Sequence, residues 1–131
     1  MFVDTSAIVA ILLGEGDAHA LSAKLESASR RLTSSTVRLE TCVVLAGRRG
    51  VTPLRAQHYF DGLAFQMALV EMPIDEGIGR LAVECFERYG KGRHPAQLNF
   101  GDCLSYACAK AQRAFLLFKG DDFLRTDVNA D

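Results

Sequence analysis

Apolar positions along the chain fall into very short continuous runs separated by stretches with helical spacing. Phe2-Val3 is a two-residue apolar run that stops at once on Asp4, and it reads as a short buried strand. Thr5 to Leu13 has helical length and ends on Gly14 and Gly16. Asp17 is placed to cap a second helix whose apolar face is Ala20, Leu21 and Leu25. Arg31 to Ser34 reads as a second strand. Ser35 or Thr36 then caps a third helix, with Val37, Val44 and Leu45 on its apolar side and Gly47 and Gly50 closing it. Pro53 suits a first helical position, and Leu54 to Met67 follows as a fourth helix. Ala68-Leu69-Val70, with Met72 and Ile74, reads as a third strand. Asp75 caps a fifth helix in which Ile78, Leu81, Ala82, Cys85 and Phe86 lie three and four apart. Gly90 to Pro95 is an open loop. Phe100 or Gly101 opens a sixth helix running to about Arg113. Phe115-Leu116-Leu117-Phe118 is a continuous apolar strand, the kind buried on both faces of a parallel sheet.

Short apolar strands alternating with helices predict an α/β domain of three layers, a mainly parallel central sheet flanked by helices. The chain has 131 residues, the size of one domain, and residues 1–131 are read as one. Hydrophobic residues make up 49% and charged residues 24%, which excludes a disordered or collagen-like chain. Fifteen basic residues stand against sixteen acidic ones, so a strongly basic body is excluded while a local nucleic-acid patch is not. No apolar run approaches the roughly 20 residues of a membrane span, and no basic segment precedes an apolar stretch at the start. A cytoplasmic protein without membrane contact is expected. Cys42, Cys85, Cys103 and Cys108 form no C-x-x-C and lie in apolar helical contexts, as buried reduced thiols do.

In parallel sheets ligands bind beyond the carboxyl ends of the strands, and acids gather there. Asp4 follows the first strand, and Asp121 and Asp122 follow the last. Asp102 lies in the first turn of the sixth helix, and Glu40 lies one turn into the third. Each has an ordinary role open to it: Asp102 in the helix dipole, Asp121-Asp122 in a turn, Glu40 on a solvated face. Asp4 has less structural excuse. If the first and last strands are neighbours, these carboxylates share one rim, where they repel unless a cation sits between them. Hard divalent cations take oxygen ligands, and Mg²⁺ leaves room for a phosphate oxygen.

Four segments carry a resemblance across nearly the whole chain: Met1-Phe-Val-Asp-Thr-Ser-Ala7, Ser35-Thr-Val-Arg-Leu-Glu40, Leu98-Asn-Phe-Gly-Asp-Cys-Leu-Ser-Tyr-Ala107 and Leu116-Leu-Phe-Lys-Gly-Asp-Asp-Phe-Leu-Arg-Thr-Asp127. In order and spacing they resemble the PIN-domain ribonucleases, most closely the VapC toxins of bacterial VapBC toxin–antitoxin modules. The resemblance implies a PIN-like fold and a Mg²⁺- or Mn²⁺-dependent endoribonuclease that hydrolyses RNA with a metal-activated water. Asp4 and Asp102 would carry the principal metal contacts and Glu40 would be the third acid. Asp121 or Asp122 would be the fourth. Ser6, or Thr5, would orient a carboxylate or a water. Lys91, Arg93 and His94 are candidate contacts to the RNA backbone. The family also implies a cognate VapB-type antitoxin and a homodimer. Apolar residues of the first two helices and Tyr59, Phe60, Leu63 and Phe65 are compatible with partner docking.

Two rival classes are weaker. A receiver-like phospho-acceptor module needs an acidic pair after its first strand, and only Asp4 stands there. A catalytically inactive PIN-like binding module has no reason to keep four acids together. A nucleotide-binding reading of Gly14-Glu-Gly-Asp-Ala-His fails, because the third Gly is missing and a helix precedes it.

Overall fold

The computed structural model describes residues 1–129. Four strands, β1 (Phe2–Val3), β2 (Leu32–Ser34), β3 (Val70–Met72) and β4 (Leu116–Leu117), form one sheet in the order β3-β2-β1-β4. All three pairings are parallel, as expected for strands joined by helices. The helices are α1 (Thr5–Leu13), α2 (Ala18–Ser27), α3 (Ser35–Arg49), α4 (Pro53–Gln66), α5 (Glu76–Tyr89) and α6 (Phe100–Ala111), and a 3₁₀ turn spans Asp122–Arg125. The chain steps outward from β1 to β2 to β3, then returns past them to pair β4 with β1. The reversal places a switch point between β1 and β4, where open α/β sheets bind ligands.

Strand length follows from burial. Phe2, Val3, Leu116 and Leu117 are fully buried, so these strands show no alternation of polar and apolar residues. The expected last strand, Phe115 to Phe118, contracts to its two central residues: Phe115 is exposed and Phe118 half-buried. β4 is an edge strand, and its Leu116 N–H donates to Asn129 O at 2.7 Å, so the tail covers a donor that the sheet leaves unpaired. β3 begins at Val70, later than expected. Ala68 takes a left-handed φ of 51°, which turns the chain before a strand can start.

Helix ends differ from expectation by small, explicable steps. Ser34, the last residue of β2, caps α3 by accepting Val37 N–H at 3.4 Å, one residue before the expected cap. Gly47 lies inside α3, and Gly50 ends it at φ 64°. Val44 is partly exposed, because the buried stripe of α3 runs Val37, Thr41, Cys42 and Leu45. Asp17 holds the cap position of α2 without a capping bond, and its carboxylate pairs with Lys119 Nζ at 3.1 Å instead. Leu21 and Leu25 bury α2, while Ala20 is exposed. α6 ends at Ala111, earlier than Arg113, because Arg113 turns left-handed (φ 49°) and Ala114 N–H closes back on Ala109 O. Phe60 and Leu63 of α4 join the core, whereas Tyr59 and Phe65 face outward. All four cysteines are buried free thiols.

Thr41 is fully buried on α3, and its hydroxyl is the buried side-chain atom without a hydrogen-bond partner among the described residues. An unanswered buried hydroxyl costs about 1 kcal/mol or more. Thr41→Val keeps the shape and removes the oxygen, so it should raise the unfolding free energy by about 1 kcal/mol. A urea unfolding curve with an unchanged slope and a higher midpoint is the expected reading.

Candidate active site

Asp4 is placed by the end of β1 and the start of α1. Its N–H donates to Leu117 O at 2.9 Å, which fastens it to the carboxyl end of β4. Its carboxylate caps α1, with Oδ2 accepting Ser6 N–H at 3.0 Å and Ser6 Oγ–H at 2.6 Å. Oδ1 accepts Ser105 Oγ–H at 2.6 Å, reaching across from α6. Ser6 Oγ also accepts Lys119 N–H at 3.0 Å, so the segment after β4 is tied to the same carboxylate. Only 4% of Asp4 is exposed.

Glu40 comes from the second turn of α3, where Thr5 Oγ1–H donates to its Oε1 at 3.0 Å. Gly101 makes its approach to α6 possible, since a methyl group at that position would overlap the Glu40 carboxylate. Asp102 follows in the first turn of α6. It forms a capping box with Asn99: Asp102 N–H donates to Asn99 Oδ1, and Asn99 N–H donates to Asp102 Oδ2, both at 2.9 Å. The structural reason for an acid here is therefore real, and it leaves Oδ1 outside the capping box.

Asp4, Glu40 and Asp102 line one cleft together with Thr5, Ser6, Val9 and Val44. Among the described residues no Lys, Arg or His pairs with these acids, or with Asp121 or Asp122. Burial, and then the charges of Asp4, Asp122 and Glu40, push the Asp102 carboxyl up to about 7, against the pull of the Asn99 N–H. Burial and then Asp4 raise Glu40, while the Thr5 hydrogen bond lowers it. Asp121 and Asp122 are exposed and lie outside the lining of the cleft. The charge of Asp122 is among those that raise Asp102. Lys91 and Arg93 stand exposed on the loop before α6, and Arg93 Nε–H donates to Glu87 O at 3.2 Å. His94 is a packing residue: Nδ1 accepts Ala96 N–H, and the ring meets Tyr89 edge-on at 5.1 Å.

Ser105 and Asn99 carried no role in the sequence pattern, and Gly101 only that of opening the sixth helix. The capping pair Asn99–Asp102 was legible in its spacing. Ser105 offered only a weak signal, one small hydroxyl among mostly apolar buried positions of α6.

The donor set suits a hard divalent cation: carboxylate oxygens without a basic partner among the described residues, with Asp4 raising the proton affinity of both Glu40 and Asp102. Among the described residues no three acidic, His or Cys side chains stand close enough to share one ion. Two carboxylates with water completing the shell is the arrangement that Mg²⁺ commonly accepts.

The chain matches the PIN domain family over residues 1–129. It is 45% identical to the ribonuclease VapC28 of Mycobacterium tuberculosis over 129 residues, 98% of this chain and 95% of that protein. It is 44% identical to the ribonuclease VapC of Mycolicibacterium smegmatis over 131 residues, 99% of this chain and 98% of that protein. Among solved structures it resembles Mycobacterium tuberculosis VapC20, described as a sarcin–ricin-loop-cleaving toxin, with TM-score 0.74, 20% identity, and coverage of 97% of this chain and 95% of that one. At that identity the likeness is one of fold.

The raised Asp102 makes the metal-free protein lose stability as pH climbs from about 4 towards 7, because the folded state holds the proton longer than the unfolded chain. Asp102→Asn should flatten that fall and stabilise the metal-free protein at pH 8 by about 1 to 2 kcal/mol, the partial solvent contact of the group being discounted. Melting curves at pH 5 and pH 8 give the comparison. Gly101→Ala should displace the Glu40 carboxylate at a cost under about 1 kcal/mol, because the overlapped atoms end a flexible side chain. A double-mutant cycle with Glu40→Ala should read a coupling of the same small size.

Proposed function

Because the chain belongs to the PIN-domain family, and within it to the VapC ribonucleases, we propose that its acidic cleft hydrolyses RNA phosphodiester bonds as the toxin of a type II toxin–antitoxin module. The observation that carries the reading is the meeting of Asp4, Glu40 and Asp102 in one cleft at the sheet's switch point, without a basic side chain of the described residues to balance them. Asp4 and Asp102 would hold Mg²⁺ or Mn²⁺. When bound, the cation supplies Lewis acidity, easing proton loss from water and offsetting charge on the phosphate.

The chain's own residues do the rest. Ser6 and Ser105 fix the Asp4 carboxylate, and the Asn99 capping box fixes Asp102. Glu40, held by Thr5 and raised in proton affinity, is the acid best suited to take a proton from the attacking water. The fourth acid is Asp122 or Asp121, and the field that Asp122 exerts on Asp102 favours Asp122. Lys91 and Arg93 on their exposed loop offer charge to the RNA backbone.

The partner reading follows from family membership: a VapB-type antitoxin that inactivates the chain, and a second copy of the chain as homodimer. An apolar groove lined by Leu12, Leu13, Leu45, Val51 and Tyr59, with Arg49 at its side, suits an antitoxin segment. Residues 1–131 act as one PIN domain in the cytoplasm. Among the described residues no helix is long and apolar enough to cross a membrane.

The test uses purified protein free of any antitoxin, structured RNA, and Mg²⁺, Mn²⁺ or EDTA. Cleavage should require the metal and should fall at least about 100-fold in Asp4→Asn and in Asp102→Asn. A folded protein that neither cleaves RNA nor binds a divalent cation would leave the inactive binding module as the reading.

A further inference from the structure

Ser105 sits in the middle of α6 and is 2% exposed. The buried positions around it are Cys103, Tyr106, Ala107, Cys108 and Ala109, apolar but for the Tyr106 hydroxyl, which donates to Asp127 Oδ1. A serine inside a helix ordinarily turns its hydroxyl to solvent or back to a carbonyl one turn earlier. Ser105 does neither. Its Oγ–H donates to Asp4 Oδ1 at 2.6 Å, joining residues 101 apart in the chain.

Counting acceptor positions shows what this bond does. A carboxylate offers about four lone-pair directions, two on each oxygen. Asp4 Oδ2 is filled by the two donors of Ser6. Oδ1 takes Ser105 and keeps one direction free, and Asp4 lines the cleft it shares with Glu40 and Asp102. The last torsion of an aspartate is soft, so a grip at Oδ2 alone leaves the carboxylate free to rock. Ser105 supplies the second grip. It also lies three residues after Asp102, hence on the same side of α6. One hydrogen bond therefore joins the helix that carries Asp102 to the strand end that carries Asp4.

We propose that Ser105 is a positioning residue of the acidic site, turning the remaining acceptor of Asp4 Oδ1 into the cleft and setting the spacing of Asp4 and Asp102 for a divalent cation. The inference rests on reading the cleft as a cation-dependent nuclease site. It adds a residue that touches neither the cation nor the RNA.

The experiment measures Mn²⁺ affinity by electron paramagnetic resonance of the free ion, beside RNA cleavage, in the unaltered protein, Ser105→Ala and Ser105→Thr. Melting curves and circular dichroism check the fold of each. Ser105→Ala should weaken Mn²⁺ binding about 10-fold, the usual effect of removing an outer-shell partner, and lower kcat while KM for RNA changes less than about twofold. Ser105→Thr keeps the hydroxyl and should restore Mn²⁺ affinity to within about threefold, a rescue that a packing role would not produce. A folded Ser105→Ala that binds Mn²⁺ as tightly as the unaltered protein overturns the proposal and leaves the nuclease reading standing. A folded Ser105→Thr as weak as Ser105→Ala overturns it too, since the hydroxyl would then not be the cause. If the unaltered protein binds no Mn²⁺, the cation reading of the cleft falls, and the proposal with it.

Discussion

A carboxylate can be buried at the end of a strand only if its oxygens find donors, and Asp4 is where the chain meets that constraint. Ser6 answers one oxygen twice, Ser105 answers the other, and the first turn of α1 sets its dipole against the charge. Each of these partners belongs to a different part of the fold. Ser6 brings α1, Ser105 brings α6, and the Lys119 N–H on Ser6 Oγ brings the segment after β4. The β1–β4 pairing, the entry of α1 and the packing of α6 on the sheet all pass through this one residue. Losing Asp4 would therefore disturb the junction as well as the chemistry.

Around that junction negative charge accumulates that no basic side chain of the described residues pairs with. Basic groups on the flanking elements pair elsewhere. Lys119 pairs with Glu15 and Asp17, and Arg38 pairs with Asp61 and Glu71. Asp102 is left to hold its proton until about pH 7, under burial and three like charges. Like charges held this close are destabilising, the usual trade between stability and function. The capping box at Asn99 and the Thr5 bond to Glu40 keep the repelling groups from swinging apart into solvent.

Much of the fold was legible because it depends on neighbours in sequence. The cap at Asp75, the stop at Gly14, the proline at the start of α4 and the apolar pairs Phe2-Val3 and Leu116-Leu117 each act over a few residues. The departures also have local causes hidden from pattern reading. Ala68 and Arg113 turn left-handed without being glycine, and Ser34 serves two elements at once, as the last residue of β2 and the cap of α3. The acids were legible as a set, because Asp4 ends a strand and Asp102 opens a helix. Their resemblance to the PIN-domain pattern supplied the order in which they meet.

By itself the sequence determined the alternation of short buried strands with helices, and with it the rim where Asp4, Glu40 and Asp102 would stand. These are properties of period, capping and chain order. Only the tertiary structure decided that Ser105 reaches Asp4, that Gly101 makes room for Glu40, and that Asn99 and Asp102 close a capping box beside them. Those are contacts between segments up to 101 residues apart. A hydroxyl on a helix and a glycine in its first turn look alike whether they face solvent, core or a carboxylate. Packing alone distinguishes the three.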